Sequence, residues 1–361
     1  MQDEIMTHKP IIAVTLGDPT GVGPEITIES IACSDITESV RLIVLGSPEV
    51  LRRAAKFVNR EMAINCIDSV DDVASIPFST KNSICCLPTG PDNWDDLQPT
   101  VMAKGGEAAY QCLVRGTELA LAKRVDAIVT CPLHKVALHL AGHDWPGHTE
   151  LLAELCGVHD HAMMLYLPPQ PNGRLGPLGL GVVHVTLHMA LRDVFEHITV
   201  ENIQEKIGLA HHVFDRIGKA TGNPYNVRIA VAALNPHCGE QGRFGREEIE
   251  IIQPAVELAK QNGMPVVGPL AVDSLMHKAA AGEYDAVVAM YHDQGHIALK
   301  LLDMFDAVNI TLGLPIVRTS VAHGTAHDIA WSKQRASTSS IQYTGMIRAI
   351  QIAASLSQGP R

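Results

Sequence analysis

Residues 11–25 read Ile-Ile-Ala-Val-Thr-Leu-Gly-Asp-Pro-Thr-Gly-Val-Gly-Pro-Glu, an aliphatic strand pattern followed by a glycine-rich loop and a helix start. Pro24 suits the first turn of a helix, and the charge of Glu25 suits the positive end of the helix dipole. Short aliphatic runs alternate with amphipathic stretches along the rest of the chain, and this alternation is typical of α/β proteins. The sequence therefore predicts an α/β fold.

The loop Gly17–Gly23 has two interpretations. Its glycines allow a tight turn from strand to helix, and such loops also hold phosphate groups when a helix begins directly after them. The spacing is not Gly-x-Gly-x-x-Gly, so the case for a Rossmann dinucleotide site is weak. A structural turn is the favoured interpretation.

The predicted elements suggest two domains, as expected for 361 residues. Residues 1–145 together with 319–361 are expected to form a nucleotide-side domain, and 146–318 a domain for metal, substrate and dimerisation. Thr149 is predicted to cap a helix that begins at Glu150. The Pro- and Gly-rich segment 168–177 separates two strands as a hairpin excursion. The other main predictions are strands at 41–46, 63–67, 83–87, 127–130, 228–234, 265–268, 286–291 and 308–312, and helices at 48–58, 105–122, 201–217, 246–262 and 340–356.

Composition excludes several classes of protein. Hydrophobic residues make up 46% of the chain, and the formal net charge of −11 argues against a nucleic-acid surface. No run is long and apolar enough for a membrane span, and the acidic N-terminus lacks a signal core. Most of the eight cysteines lie in apolar runs, among them Cys66, Cys85, Cys86 and Cys112, which favours buried, reduced thiols. We therefore expect a cytoplasmic protein without membrane or nucleic-acid partners.

Three histidines follow buried-strand patterns at equivalent positions. His188 ends the stretch Gly-Leu-Gly-Val-Val-His-Val-Thr-Leu-His, and His237 and His292 each follow another aliphatic run. Ligands of open α/β sheets bind outside the carboxyl ends of the strands, and three protein ligands with an open position are typical of a catalytic metal site. A single histidine at such a position is more often a buried structural residue. Three in equivalent positions make a metal site about as plausible as a structural role.

Downstream of His292 lie Lys300, Asn309 and Arg318, which suit phosphate or carboxylate recognition. For Lys300 alone, solvated surface charge is the favoured alternative, whereas Arg318 stands in an apolar context. The segment His323-Gly324-Thr325-Ala326-His327-Asp328 combines small residues with an acid. An acid there can bind a ribose diol and so favour NAD over NADP, although a loop before a helix is also possible.

Taken together, several motifs resemble the 4-hydroxythreonine-4-phosphate dehydrogenase family over about residues 10–355. They are Gly-Asp-Pro-Thr-Gly-Val-Gly-Pro-Glu, Pro-Gly-His-Thr-Glu, Leu-Asn-Pro-His-Cys-Gly-Glu, Tyr-His-Asp-Gln-Gly, Val-Asn-Ile-Thr-Leu-Gly-Leu-Pro and Arg-Thr-Ser with His-Gly-Thr-Ala. Gly-His-Ile-Ala-Leu-Lys-Leu-Leu and Asp-Ile-Ala-Trp look most like the branch that acts on D-threonate or D-erythronate 4-phosphate. The first and last motifs also resemble the isopropylmalate and isocitrate dehydrogenases, which implies two α/β/α domains with a central cleft.

The resemblance implies roles for individual residues. It makes His188, His237 and His292 ligands of one divalent metal, two from one subunit and one from the other of a homodimer. Zinc is the first choice, and cobalt, nickel, magnesium and manganese are alternatives. It places His148, Thr149, Lys300, Asn309 and Arg318 on the substrate and its phosphate. Asp273 and Asp293 line the substrate, and either is a candidate general base. NAD would lie against Gly17, Asp18, His323, Gly324, Thr325 and Asp328.

The implied activity is NAD- and metal-dependent oxidation and decarboxylation of a 4-phosphorylated 3-hydroxy acid, either 4-hydroxythreonine 4-phosphate or D-threonate or D-erythronate 4-phosphate. One alternative is a dehydrogenase of a terephthalate-derived cyclohexadiene cis-dihydrodiol dicarboxylate. That branch lacks counterparts of Asn309 and Arg318, both of which this chain has. A second alternative is a metabolite-binding protein of the same fold without catalysis. The segment 168–177, Ala322, His327 and His134 depart from the family pattern or vary between its branches.

Overall fold

A computed structural model describes residues 9–71, 75–171, 173–220, 225–332 and 343–358. The chain divides into two compact units, one formed by Met1–Gly157 with Leu314–Gly359 and the other by Val158–Gly313. Each unit combines strands with helices, so the predicted α/β class is confirmed. The roles assigned to the two domains from the sequence stay predictions.

The first unit begins with the predicted strand, glycine loop and helix. Pro24 lies in the first turn of that helix, as expected. The described elements of this unit are β1 Ile11–Thr15, α1 Gly23–Ala32, α2 Ile36–Ser39, β2 Arg41–Gly46, α3 Pro48–Phe57, β3 Ala63–Cys66, β4 Ser83–Pro88, α4 Ala103–Leu121, β5 Ala127–Thr130, α5 Lys135–Leu140 and α6 His148–Cys156.

The described residues of the second unit include six strands, and two described elements that follow them in the chain belong to the first unit. In chain order the second unit contains β6 Ala162–Leu167, β7 Leu180–His184, α7 Val194–His197, α8 Val200–Ala220, β8 Ile229–Ala232, α9 Gln253–Gln261, β9 Val266–Leu270, α10 Val272–Ala280, β10 Ala286–Ala289, α11 His292–Leu302 and β11 Val308–Leu312. The returning elements are β12 Val317–Val321 and α12 Thr344–Ser357.

All strand pairs of the first unit are parallel, in the order β3-β4-β2-β1-β5-β12. Parallel strands are buried on both faces, which explains their continuous aliphatic sequences. Ile43, Leu45, Cys85 and Leu113 belong to the core between this sheet and α4. Cys66, which the sequence analysis grouped with the buried thiols, is exposed because β3 is the edge strand.

The sheet of the second unit has the order β11-β6-β7-β10-β8-β9. β6 pairs antiparallel with both β11 and β7, whereas β7, β10, β8 and β9 are parallel to one another. The carboxyl ends of β7, β10 and β8 therefore lie at one edge of this sheet, where the predicted metal ligands follow their strands.

Two further predictions can be compared with the structure. The segment 168–177 does connect the antiparallel strands β6 and β7, although Asn172 lies outside the described residues. Across the described parts of the chain, none of the helices combines the length and apolar character needed to cross a membrane.

Candidate active site

Four histidines form a cluster at the carboxyl ends of β7 and β10 in the second unit. His184 is the last residue of β7, and His188 follows it by four residues. His292 begins α11, and His296 lies one turn later in the same helix. The rings of His188 and His292 have centroids 5.8 Å apart. The structure thus brings two of the three predicted metal ligands together.

His292 is oriented by its neighbour Asp293. The Nδ1 atom of His292 lies 2.7 Å from the Oδ1 atom of Asp293, so the imidazole donates to the carboxylate. This bond leaves Nε2 as the nitrogen with a free lone pair. Asp293, a predicted general base, therefore contacts a predicted metal ligand.

The third predicted ligand, His237, lies on a separate turn after β8. Five successive residues, His237 to Gln241, have positive φ angles between 45° and 72°, which makes a left-handed turn. His237 is exposed and lines a cavity of about 470 Å³ with Cys238, Glu248 and Pro269. Within the described residues of one chain, no group of three or more His, Cys, Asp or Glu side chains is arranged to hold a metal ion.

The buried carboxylate of Glu248 anchors this turn. Its Oε1 atom accepts hydrogen bonds from the backbone nitrogens of Leu234 at 2.8 Å and Asn235 at 2.6 Å. Its Oε2 atom accepts from Nδ2 of Asn235 at 3.0 Å. Asp273, the other predicted base, is exposed in the first turn of α10, where its Oδ1 accepts from the backbone of Ser274.

Lys300 and Asn309 are the predicted substrate residues of the second unit. Lys300 lies in the last turn of α11, half-buried, and its charge contributes to lowering the pKa of His296. Asn309 lies in β11, and its buried Oδ1 atom has no hydrogen-bond partner among the residues that the structure describes. A buried amide oxygen without a donor is a position where a ligand N–H or O–H can bind.

In the first unit, Arg318 is the main candidate for anion binding. It lies in β12 with only 1% of its surface exposed, and its Nη2 donates to the Thr130 hydroxyl at 2.6 Å. Burial lowers the pKa of Arg318 to about 9, against the opposing effect of Glu150. A buried cation with a lowered pKa is stabilised by a bound anion.

His148 and Thr149 begin α6 in the same unit. The helix starts at His148 with Gly147 as its N-cap, so Thr149 is not the predicted cap residue and lies inside the first turn. Burial and the nearby Arg318 charge lower the pKa of His148 well below its ordinary value. His148 is therefore a neutral imidazole at pH 7, able to donate one hydrogen bond and accept another.

The glycine loop after β1 packs tightly against protein. Gly17 has a φ of +70°, and a Cβ there would lie 2.4 Å from the Pro132 carbonyl oxygen. A Cβ at Gly21 would lie 2.7 Å from the Thr325 carbonyl oxygen, which accepts from Val22 N at 2.9 Å. These contacts account for the two glycines as packing requirements, and they leave the predicted NAD contacts untested.

Asp18 is fully buried and joins a hydrogen-bonded chain that includes His327. The Thr20 hydroxyl donates to Asp18 Oδ1 at 2.7 Å and lies 2.9 Å from Nε2 of His327. Because the hydroxyl hydrogen is directed to Asp18, His327 must donate from Nε2. Burial raises the pKa of Asp18.

The other predicted nucleotide residues lie around this chain of hydrogen bonds. Thr325 is buried, and its hydroxyl lies 3.4 Å from Nδ1 of His327. Asp328 is exposed, and Gly324 has open space where a side chain would be. His323 Nδ1 donates to the Gly324 carbonyl at 2.9 Å.

The sequence analysis did not identify His184 or His296. Both are buried, and Nδ1 of His296 lies 3.1 Å from Nε2 of His184. Burial lowers the pKa of His184 to about 3 and that of His296 to about 4, with smaller contributions from neighbouring charges. Their spacing in the sequence could have identified them, because His184 lies four residues from His188 and His296 lies four residues from His292.

Residues 38–353 match the family described as pyridoxal phosphate biosynthetic protein PdxA. This chain belongs to the PdxA family. The chain is similar to the D-threonate 4-phosphate dehydrogenase of Pectobacterium atrosepticum, with 44% identity over 324 residues that cover 89% of this chain and 93% of the relative. The 4-hydroxythreonine-4-phosphate dehydrogenase of Geobacter metallireducens is also 44% identical, over 89% of this chain and 90% of that protein.

A solved PdxA-family structure extends the match to the fold. The crystal structure of 4-hydroxythreonine-4-phosphate dehydrogenase from Klebsiella pneumoniae has a TM-score of 0.80 and 41% identity, covering 97% of this chain and 100% of that chain. The predicted family is confirmed, and with it the protein is an oxidoreductase of the dehydrogenase type. Relatives named for D-threonate 4-phosphate and for 4-hydroxythreonine 4-phosphate are equally identical to this chain, so sequence identity does not distinguish between these two substrates.

Proposed function

We propose that this protein is an NAD- and divalent-metal-dependent dehydrogenase that oxidises and decarboxylates a 4-phosphorylated 3-hydroxy acid. The substrate would be D-threonate or D-erythronate 4-phosphate, or 4-hydroxythreonine 4-phosphate. The observation that carries the proposal is the buried Arg318 guanidinium in a chain whose relatives are named for phosphorylated substrates. A carboxylate or phosphate is the ligand that a buried guanidinium binds best.

The substrate residues have separate tasks. Arg318 would neutralise the phosphate, while neutral His148 and Thr149 supply further hydrogen bonds. The unpaired Oδ1 of Asn309 would accept a substrate hydroxyl or amino hydrogen, and Lys300 adds positive charge. Holding the substrate by several fixed groups orients its reacting carbon, which reduces the entropy cost of reaction.

The donor set fits a divalent metal. His188 and His292 are neighbours, and the bond from His292 to Asp293 leaves the Nε2 lone pair available. Imidazoles suit zinc, cobalt or nickel, and oxygen atoms of a chelating substrate would also admit magnesium or manganese. When bound, the metal would lower the pKa of the substrate alcohol and polarise the carbonyl formed from it.

The nucleotide would lie against the loops of the first unit. Gly324 leaves open space for close approach, and the exposed Asp328 can accept hydrogen bonds from a ribose diol. NAD, when bound, would accept the hydride of the alcohol carbon, and Asp273 or Asp293 would accept the alcohol proton. The resulting 3-keto acid would lose its carboxyl carbon as carbon dioxide, and the protonated aspartate would return the proton to the carbon that carried the carboxylate.

A homodimer completes the proposed site. Among the described residues of one chain, His237 is not grouped with His188 and His292, which supports a proposal in which a second copy supplies the third imidazole. Most of the exposed large hydrophobic side chains of the described residues lie in the second unit, among them Ile297, Leu301 and Phe305. Apolar surface of this kind is typical of subunit interfaces.

The test is production of NADH and carbon dioxide from a panel of substrates, with zinc, cobalt or magnesium added. The panel contains D-threonate 4-phosphate, D-erythronate 4-phosphate, 4-hydroxythreonine 4-phosphate and a cyclohexadiene cis-dihydrodiol dicarboxylate. We expect activity on a phosphorylated acid. Replacing Arg318 with Met should lower kcat/KM for that substrate by about 100-fold, because a buried charge-assisted contact is lost.

Arg115, exposed on α4, provides the control variant Arg115→Met, which should retain full activity. Circular dichroism of both variants separates a binding defect from misfolding. Turnover of the dihydrodiol alone would contradict the phosphate assignment. Binding of the phosphorylated acids without any NADH would instead favour a metabolite-binding protein.

A further inference from the structure

His184 and His296 are two buried imidazoles outside the set of predicted metal ligands. His184 ends β7 with 1% of its surface exposed, and His296 lies on α11 with 7% exposed. Their nitrogens, Nε2 of His184 and Nδ1 of His296, are 3.1 Å apart. Because one nitrogen has to donate and the other accept, the bond restricts the ring plane of His296 and couples the tautomers of the two rings.

His296 in turn contacts the predicted ligand His292, one helical turn earlier. The two rings are stacked with centroids 3.9 Å apart and planes inclined by only 8°. The ring of His184 lies farther from His292, with centroids 6.2 Å apart. His296 is therefore the link between the buried end of β7 and the imidazole of His292.

The backbone of α11 is shaped for this arrangement at Gly295. A Cβ at that position would lie 2.4 Å from Cγ1 of Val182 and 2.6 Å from Nε2 of His184. Only glycine lets the helix approach β7 closely enough for His184 and His296 to bond. Packing alone does not require two imidazoles here, since aliphatic side chains bury surface without the cost of desolvating polar nitrogens.

We propose that His296, tethered by His184, is a positioning residue that holds the His292 imidazole in the orientation needed to bind the divalent metal. The proposal rests on the metal dependence proposed above. Groups that orient a ligating histidine typically change metal affinity by about 10- to 100-fold when removed.

Two substitutions of His296 separate the stacked ring from the hydrogen bond. His296→Phe keeps a flat ring against His292 and loses the bond to His184. His296→Asn keeps a polar group near the position of Nδ1 and loses the ring. His212→Asn, an exposed position on α8, is the matched control.

The measurements are cobalt affinity, by competition with a chromophoric chelator, and the visible absorption spectrum of the cobalt-loaded full-length protein. If the ring positions His292, His296→Asn should bind cobalt about 10- to 100-fold more weakly and shift the spectrum. His296→Phe should stay closer to the wild type, and the control should match it. Near-ultraviolet circular dichroism identifies any variant that does not fold, and His296→Gln then replaces it as the ring-free variant.

Wild-type affinity and spectrum in the ring-free variant would overturn this inference and leave the proposed function intact. A larger loss in His296→Phe than in His296→Asn would also overturn it, because the bond to His184 alone would then matter. A wild-type protein that binds no cobalt, zinc or magnesium would overturn the proposed metal dependence and this inference together.

Discussion

Arg318 and His148 are two basic side chains that the first unit keeps close together. Burial lowers the pKa of the guanidinium to about 9, and the same charge contributes to lowering the pKa of His148. The imidazole therefore remains neutral beside the cation, which leaves the positive charge on Arg318 alone. An anion that binds there meets one fixed charge and one neutral hydrogen-bonding ring.

This arrangement predicts a stability cost in acid. In the unfolded chain His148 binds a proton at about its ordinary pKa of 6.5, while the folded pKa lies well below that value. The unfolded state then binds more protons as the pH falls below about 6.5, so the free energy of unfolding decreases by up to about 1.4 kcal/mol per pH unit. Above that pH the group contributes no pH dependence.

Urea unfolding at about pH 7 and about pH 5 measures this effect, with His148→Gln as the variant. We expect the drop in unfolding free energy between the two pH values to be smaller in the variant than in the wild type, by at most about 2 kcal/mol. His159→Gln, which changes an exposed histidine, should behave as the wild type does. Equal drops in all three proteins would show that His148 titrates normally in the folded state.

The left-handed turn from His237 to Gln241 is the most unusual local element. Four of its five residues carry side chains at positive φ angles, which costs free energy at each position. Glu248 compensates by accepting hydrogen bonds from the backbone just before the turn, and it lies in a short π-helical segment, Glu248–Ile252. The exposed His237 therefore lies on a turn whose backbone is strained and which the hydrogen bonds of Glu248 hold in place.

Glu248→Gln should weaken this anchor. In the variant, an NH₂ group replaces one of the two carboxylate oxygens. That oxygen can no longer accept the hydrogen bonds from the backbone of Leu234 and Asn235, or the bond from the Asn235 side chain. We expect a loss of about 1–3 kcal/mol in the free energy of unfolding, measured by urea denaturation. The exposed Glu257→Gln on α9 is the control and should change it by less than about 0.5 kcal/mol. Equal losses would show that Glu248 does not support the turn.

Helices and strands were predictable where the hydrophobic residues keep one periodicity along the whole element. Strands 127–130 and 308–312 were predicted with their observed limits, and helix 105–122 is close to the observed Ala103–Leu121. The predicted helix 246–262 proved to begin with the π-helical segment, which an average period of 3.6 does not reveal. The predicted start of the last helix, 340–342, lies outside the described residues.

The candidate site was less predictable, because tertiary contacts form it. The strand predicted at 286–291 ends at Ala289, and the polar residues that follow it begin α11, which places His292 and His296 on one face. The left-handed turn has only one glycine among its five residues, and its anchor, Glu248, comes from a later segment. Neither feature follows from local propensity.

At the scale of the whole molecule, the chain combines a negative net charge with exposed apolar surface. The chain carries a net charge of −11, yet the second unit exposes several large hydrophobic side chains on and after α11. Leu301, with 81% of its surface exposed, is the most exposed of them. A second copy of the chain is the partner proposed to cover this surface.

Leu301→Glu should therefore weaken the proposed dimer. A carboxylate placed in an apolar interface has to be desolvated, and we expect the dissociation constant of the dimer to rise by about 100-fold. Sedimentation velocity over a range of concentrations measures the shift, and NADH production should fall with the dimer fraction. Leu121→Glu, at an exposed position of the first unit, should leave the dimer unchanged. A monomeric wild-type protein would refute the dimer and the shared site.

The pairing of β12 with β5 has a consequence for how the chain acquires its fold during synthesis. Val317 pairs with Ala127, and α12 packs on β12 and β5, so the first sheet needs strands from both ends of the chain. The second unit is formed by one continuous segment, Val158–Gly313, which precedes β12 in the chain and therefore leaves the ribosome before β12 does. One side of β5 thus lacks its final neighbour while the intervening segment is already able to fold, which makes closure of the first sheet a late, non-local step.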